Sequence, residues 1–376
     1  MKTDTVTIIG GGLAGLTAAI HLSKIGMQVT VVEKNFYPKH KVCGEYVSNE
    51  VLPYFNWLEI NISELKPTDI TKIIFSTSSG KIVRGNLPLG GFGISRYALD
   101  SFLYEKAKNN GCVFIHETVE DVAFADDKFI VSTSDNQKLQ SDFVIGAFGK
   151  RSNIDQKMHR DFIEIKSPWL AVKGHYEGEF PNDTVGLHNF EGGYCGVSKV
   201  ENGQINICYL ADYKTFKNYK NIDDYQKQVV SKNPNLKVIF DNSKSVFEKP
   251  LTISQISFEK KEAVENHILM VGDSVGMIHP LCGNGMAMAV HSAKIVSELL
   301  EKCHKGEIES RSELERVYTE AWAFNFKSRL SAGRFIAKLL GRTKVSENIM
   351  RLLATFPSLL PKIINKTHGK PLILNS

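Results

Sequence analysis

The alternation of apolar runs and polar breaks predicts a series of βα units. Val6–Ile9 reads as a buried strand, and Leu13–Ile25 as a helix with Leu16, Ile20 and Leu22 on or near one face. Gly26 ends that helix and Gln28–Glu33 forms the next strand. Residues 70–84 read as two short strands about a turn at Ser78–Gly80. Tyr97–Asn109 is a second helix, closed by Asn110-Gly111 and followed by the strand Val113–Glu117. Residues 119–144 form a meander, and Phe143–Ala147 is another buried strand. The stretch 169–258 changes character to strand, loop, hairpin, helix and strand. Its hairpin joins Tyr194–Val200 to Gln204–Leu210 through Glu201-Asn202-Gly203, where Asn-Gly accepts the positive φ of a tight turn. His267–Val271 returns to a buried strand, Met286–Lys302 is a helix, and 311–366 is mostly helical.

This order predicts an α/β protein: a Rossmann-like nucleotide-binding domain, an inserted β-rich substrate domain and a helical C-terminal region. The nucleotide-binding domain is expected in three pieces, 1–68, 95–165 and 261–305. The substrate domain takes 69–94 and 166–260, and the helical region takes 306–376.

A chain of 376 residues supports two domains, and 42% hydrophobic with 23% charged residues is ordinary for a globular protein. No apolar run reaches the roughly 18 residues of a spanning helix, and Asp4 interrupts any signal-like start, so a cytoplasmic location is expected. The six cysteines form no C-x-x-C pair, which argues against a zinc site, and a disulfide framework is not expected. The net charge of +5 is uneven: from residue 327 onward ten Lys/Arg face the single acid Glu347. In Arg334–Arg342 basic and apolar residues alternate, which fits a helix lying on a membrane surface or one packed on the body with its bases in solvent. Nothing suggests a nucleic-acid partner, and no feature sets the oligomeric state.

Two glycine motifs carry the chemistry. Gly10-x-Gly12-x-x-Gly15 follows a strand and opens a helix. Gly10 permits the turn, Gly12 lets backbone approach a pyrophosphate, and Gly15 allows close helix–strand packing. Free N–H groups at the helix start then hold phosphate oxygens. Glu33 ends the second strand, where an acid bonds ribose hydroxyls and disfavours a 2′-phosphate. The second motif is Gly272-Asp273, followed by Pro280-Leu281-Cys282-Gly283-Asn284-Gly285. Asp273 can accept from a ribityl hydroxyl. Gly283 and Gly285 expose N–H groups at the start of the following helix, whose positive end stabilises a reduced flavin. The pair predicts non-covalent FAD and a redox enzyme.

The run Gly272–Met286 resembles the GDAAG…P-L-T-G-E-G-I segment of the geranylgeranyl reductase family, within the superfamily of aromatic-ring FAD hydroxylases. Cys43-Gly44-Glu45-Tyr46-Val47-Ser48 is similar to that family's C-G-E-G-x-S loop, Arg96–Asp100 to its R-x-x-[LF]-D helix start, and Val144–Gly149 to its A-D-G segment. The likeness spans roughly residues 1–300. It implies FAD contacts at Ala14, Glu33, Cys43, Gly44, Tyr46, Arg96, Val119, Asp273, Gly285 and Met286. Arg96 also reads, on its own, as either a phosphate or ribityl partner or a surface arginine. Cys43 reads as either a small packed residue or a thiol beside the flavin, and with Tyr194 it is a candidate catalytic residue.

Three positions depart from the pattern. Phe148 stands where an Asp that helps hold FAD and NAD(P)H is usual. Tyr194-Cys195-Gly196-Val197 keeps the Tyr but not the Trp of an aromatic Y-x-W-x-F-P strand. His291-Ser292-Ala293 is closer to the reductases than to the Asp-Ala of the hydroxylases. His279 is a candidate acid–base group, and Gly90–Gly93 a substrate lid or a plain turn. The resemblance implies C=C reduction of a lipophilic, prenyl-like or polyketide substrate by hydride from reduced flavin, with NAD(P)H or another donor as reductant. The alternatives are an NAD(P)H-dependent monooxygenase acting on an aromatic or polyketide substrate, and a non-catalytic flavoprotein redox sensor.

Overall fold

The computed structural model describes residues 4–340, 348–349, 352–353, 355–356 and 358–374. A six-stranded sheet runs in the order Val264–Glu265, Ile268–Met270, Phe143–Gly146, Thr5–Ile9, Gln28–Val32, Val113–Ile115. All neighbours are parallel except the first pair. Its strands are Val/Ile-rich and carry few polar side chains because both faces are covered. Helix Leu13–Lys24 is buried from Leu13 to Leu22, since it packs between that sheet and the helices Arg96–Asn109 and Gly285–His304. Residues 119–141 form a separate three-stranded meander, as the pattern predicts.

The first strand lies between two parallel neighbours that are reached by crossovers in opposite directions. The Gly10–Gly15 turn therefore sits at a topological switch point, where a cleft opens at the strand ends. Gly272–Asp273 follows Ile268–Met270, which pairs with Phe143–Gly146, the neighbour of the first strand. Residues about 260 apart in sequence thus meet at one sheet edge.

The second sheet has nine strands and stands against that cleft. Its central strands Trp169–Gly178, Ile205–Asp212, Gly193–Lys199 and Thr184–Phe190 are antiparallel neighbours. The hairpin turn carries Asn202 at φ 60° and Gly203 at φ 73°. One face buries Leu170, Val172, Cys195, Ile207 and Tyr209 against the helices Ile222–Gln228 and Pro234–Asp241. Period-two alternation sends the other set, Ala171, Lys173 and His175, toward the nucleotide-binding domain. Opposite them in register are Leu210, Cys208 and Asn206.

Two expectations are corrected. The strands of 70–84 are longer, Thr68–Ser76 and Ile82–Gly93, and a parallel strand, Thr184–Phe190, joins them. Gly90–Gly93 is no lid: Gly91, Phe92 and Gly93 pair with Ser48, Val47 and Tyr46 inside the sheet. A Cβ on Gly93 would lie 1.9 Å from the Lys199 carbonyl oxygen, so these glycines serve close backbone approach.

Helix Arg311–Leu340 packs along Gly285–His304, and the short helix Leu359–Ile364 seats Leu360 against Gly85 of the second sheet. Of the basic tail, Arg342, Lys344 and Arg351, with Glu347, lie outside the described residues. No helix among the described residues is long and apolar enough to cross a membrane.

Candidate active site

A cavity of about 580 Å³ lies between the two sheets and the C-terminal helices. At one end the Gly10–Gly15 turn presents its helix N-terminus with no side-chain cap. Gly10 sits at φ 103°, and a Cβ there would lie 2.4 Å from the Ala147 carbonyl oxygen; on Gly15 it would lie 2.1 Å from that of Gly10. Both glycines are packing requirements. Gly12 differs: its Cβ would meet nothing nearer than Arg96 Nη2 at 3.7 Å and Lys41 Nζ at 3.9 Å. The backbone there is open to the cavity and flanked by two cations. Asp100 fixes them, accepting from Arg96 Nε at 2.6 Å and Nη2 at 2.7 Å, with Lys41 Nζ at 3.0 Å. Burial opposes the charge on Arg96, and the Asp100 pair outweighs it and raises the guanidinium pKa. Burial likewise opposes the Asp100 carboxylate, but Arg96 and Lys41 hold it below the usual range.

Midway, the loop Cys43–Tyr46 crosses the cavity wall. Glu45 adopts φ 53° and buries its carboxylate completely. That carboxylate accepts from the Arg96 backbone N–H at 2.7 Å, from His175 Nε2 at 2.7 Å and from the fully buried Lys173 ammonium. Lys173 also donates to the Lys41 carbonyl at 3.1 Å, and Asn206 Nδ2 to the carbonyls of Gly44 at 2.8 Å and Cys43 at 3.3 Å. Burial pushes the Glu45 pKa up, but the His175 hydrogen bond and Lys173 together bring it below its ordinary value. The second sheet thus holds the loop that faces the cofactor end.

Beside the Gly10–Gly15 turn Gly272 takes φ 61°, where a Cβ would lie 3.1 Å from that of Ala14; Gly283 takes φ 65°, and helix Gly285–His304 begins without a side-chain cap. Its N-terminus and Asp273 reach the cavity wall. Lys261 Nζ donates to the Asp273 carbonyl at 2.7 Å and the Lys150 carbonyl at 3.0 Å, tying together two loops at the wall. Burial lowers its pKa to about 8.

Of the residues expected at FAD, Gly12, Ala14, Cys43, Gly44, Tyr46, Arg96, Asp273, Gly283, Gly285 and Met286 all line this cavity. Glu33 is not on that wall; it accepts from Gly11 N–H at 2.9 Å and from Asn35 at 3.0 and 2.6 Å. Val119 starts the meander, its carbonyl bonded to Asn153 at 2.8 Å, and is not part of the wall. Phe148 packs on the main core.

Tyr194 lines the cavity and Cys43 accepts weakly from the Glu45 N–H at 3.5 Å. Burial raises the Tyr194 hydroxyl well above its ordinary pKa and the thiols of Cys208 and Cys282, also on the wall, to about 12. His279 is off the wall, boxed by Trp169, Tyr194 and Phe258, and burial lowers it to about 4, so it is a neutral packed imidazole.

The remainder of the cavity is largely apolar. It is floored by Ile73, Phe75, Leu87, Val185, Leu187 and Leu210 and roofed by Ile336, Leu339, Leu353 and Leu360. Two uncapped helix N-termini, a cation pair at an open glycine and an adjoining apolar chamber fit a dinucleotide: Gly12, Arg96 and Lys41 would hold its phosphates, and the Gly285 helix start would face its ring system. These features define an FAD-dependent oxidoreductase.

The chain belongs to the FAD-binding domain family, whose model matches residues 2–320. It is 25% identical over 335 residues to the digeranylgeranylglycerophospholipid reductase of Methanosarcina acetivorans, covering 84% of this chain and 80% of that protein. It is 23% identical over 389 residues to an FAD-dependent monooxygenase of Arthrinium sp, covering 92% of this chain and 51% of that protein, so it spans about half of that relative. Among solved structures, the flavin-dependent brominase Bmp2 superposes with a TM-score of 0.78 at 17% identity, covering 97% of this chain and 93% of that one. The last likeness is one of fold.

Proposed function

We propose that the protein is a flavin monooxygenase acting on a lipophilic substrate held against the second sheet. When bound, FAD reduced by NAD(P)H or another donor would supply the electrons that activate dioxygen. The chain's own residues do the rest. Arg96, Lys41 and the Leu13 helix start would hold the phosphates, and Asp273 with the Gly285 helix start would orient the ring system. Ile73, Phe75, Val185 and Leu187 exclude water from the space beside it.

The observation that carries this reading is the chemistry of the chamber. Its apolar end is lined mostly by aliphatic side chains, and burial raises the pKa of the Tyr194 hydroxyl and of the Cys208 and Cys282 thiols on its wall. Hydride addition to a C=C bond leaves an anion that needs a proton, and weakened acids supply one poorly. Oxygen insertion also takes up a proton as the second oxygen atom leaves as water, and a dry enclosure protects it from wasteful release of hydrogen peroxide. The relative from Arthrinium supports the same direction.

C=C reduction is the second reading, favoured by the reductase relative and by the Tyr194 hydroxyl on the cavity wall. An oxygen electrode separates the two. Substrate-dependent oxygen uptake matched to donor oxidation supports the monooxygenase, and undiminished turnover under nitrogen replaces it with the reductase.

A further inference from the structure

The mouth of the cavity has an unusual rim. Phe335 and Ile363 line the cavity wall yet are 62% and 37% exposed, so large apolar side chains, with the exposed Lys366, stand where the chamber opens. Phe335 belongs to helix Arg311–Leu340, whose second half has two distinct faces. The inner one sends Phe326 and Leu330 into the core and Ala332, Ile336 and Leu339 to the cavity. The outer one carries Phe324, which is 88% exposed, and Phe335 eleven residues later, three turns along on nearly the same side. Lys327, Arg334 and Lys338 are exposed beside them. Between residues 321 and 340 there are four basic residues and no acid.

We propose that this outer face docks on an anionic lipid bilayer and sets the cavity mouth at the membrane surface, where a lipophilic substrate passes directly between lipid and chamber. Charge complementarity identifies the occupant. An acid-free stretch of bases with protruding Phe rings matches anionic headgroups over an acyl boundary, where each base near the surface adds attraction and each ring adds buried apolar area. Large exposed aromatic side chains at a ligand mouth mark an interaction surface. The bilayer docking stands on the helix face alone; substrate delivery rests on the chamber being the substrate site.

The test uses the full-length, flavin-loaded protein in co-sedimentation with vesicles. Phosphatidylcholine vesicles with roughly a third phosphatidylglycerol are compared with pure phosphatidylcholine. Binding is expected only to the anionic vesicles and to weaken as salt rises. F324S and K327E/K338E, which leave the cavity wall untouched, are each expected to weaken it by about tenfold or more while keeping the flavin absorbance. Absence of pelleting with anionic vesicles, or equal pelleting of wild type and both variants, overturns the docking. So does a concentration-dependent dimer that F324S abolishes, since the face is then an interface between copies of the chain. Vesicle binding without any turnover leaves the docking intact and counts against the chamber as a substrate site.

Discussion

Glu45 is an acid at a backbone angle that glycine usually takes, with its charge wholly inside the protein. It is tolerated because Lys173 and His175 reach it from the second sheet and the Arg96 N–H from the first domain. Removing one member of such a group leaves a buried charge unmatched. Glu45→Gln is therefore expected to lower the unfolding free energy by about 3–5 kcal/mol in urea titration. Adding Lys173→Met recovers much of that loss, because an apolar pair of similar volume has no charge to desolvate. The pH dependence follows from the lowered pKa. Above the ordinary carboxyl value of 4.5 both folded and unfolded forms are ionised and the stabilisation is complete. As pH falls below that value the unfolded chain takes up the proton first, and stability declines through the folded pKa. Glu45→Gln flattens that acid limb. Arg96 makes a separate prediction at this scale: Arg96→Met weakens FAD binding by on the order of tenfold or more in flavin fluorescence titration, since a charge-assisted contact is lost.

At the scale of the elements, the two glycine-opened helices share a form but not the duties of their glycines. Gly10→Ala places a Cβ at φ 103° against the Ala147 carbonyl and is expected to destabilise the fold by about 3 kcal/mol or more. Gly12→Ala makes only ordinary contact with Arg96 and Lys41 and is expected to leave thermal unfolding nearly unchanged while weakening FAD by about tenfold or more. Calorimetry beside flavin titration distinguishes them, and the account fails if the two variants behave alike. The βαβ start, the meander, the hairpin and both glycine motifs were legible because each is a contiguous pattern with its own turn residues. The Glu45 group was not. Lys173 and His175 alternate with apolar residues in a strand, and which face meets the nucleotide-binding domain depends on a sheet assembled from distant segments. Polar residues at i and i+2 in an otherwise apolar strand were the available signal. Gly90–Gly93 misled for the opposite reason: small residues that suggest flexibility are here fixed by the approach of Tyr46–Ser48 and Lys199.

Taken as a whole molecule, the chain closes one chamber with three contributors, two sheets and a C-terminal roof. The roof carries no nucleotide-binding motif, so its loss should separate the two halves of function. Leu360→Ala with Ile364→Ala removes buried side chains that touch the cavity. It is expected to cost about 2–5 kcal/mol per site, to raise apolar-dye fluorescence and to impair turnover, with FAD affinity retained within about twofold. Loss of FAD in that variant contradicts the division of labour. The sequence marked this tail as basic and helical, but only the fold makes it a wall of the site.

The central claim is that this chamber joins reduced FAD, dioxygen and a lipophilic compound. Its most direct test is mass spectrometry of an apolar extract incubated with the flavin-loaded protein and a reductant, under isotopically labelled dioxygen and, in parallel, under nitrogen. The account predicts a product carrying label from the gas, absent under nitrogen. A product that instead gains two hydrogens and forms equally well under nitrogen contradicts it.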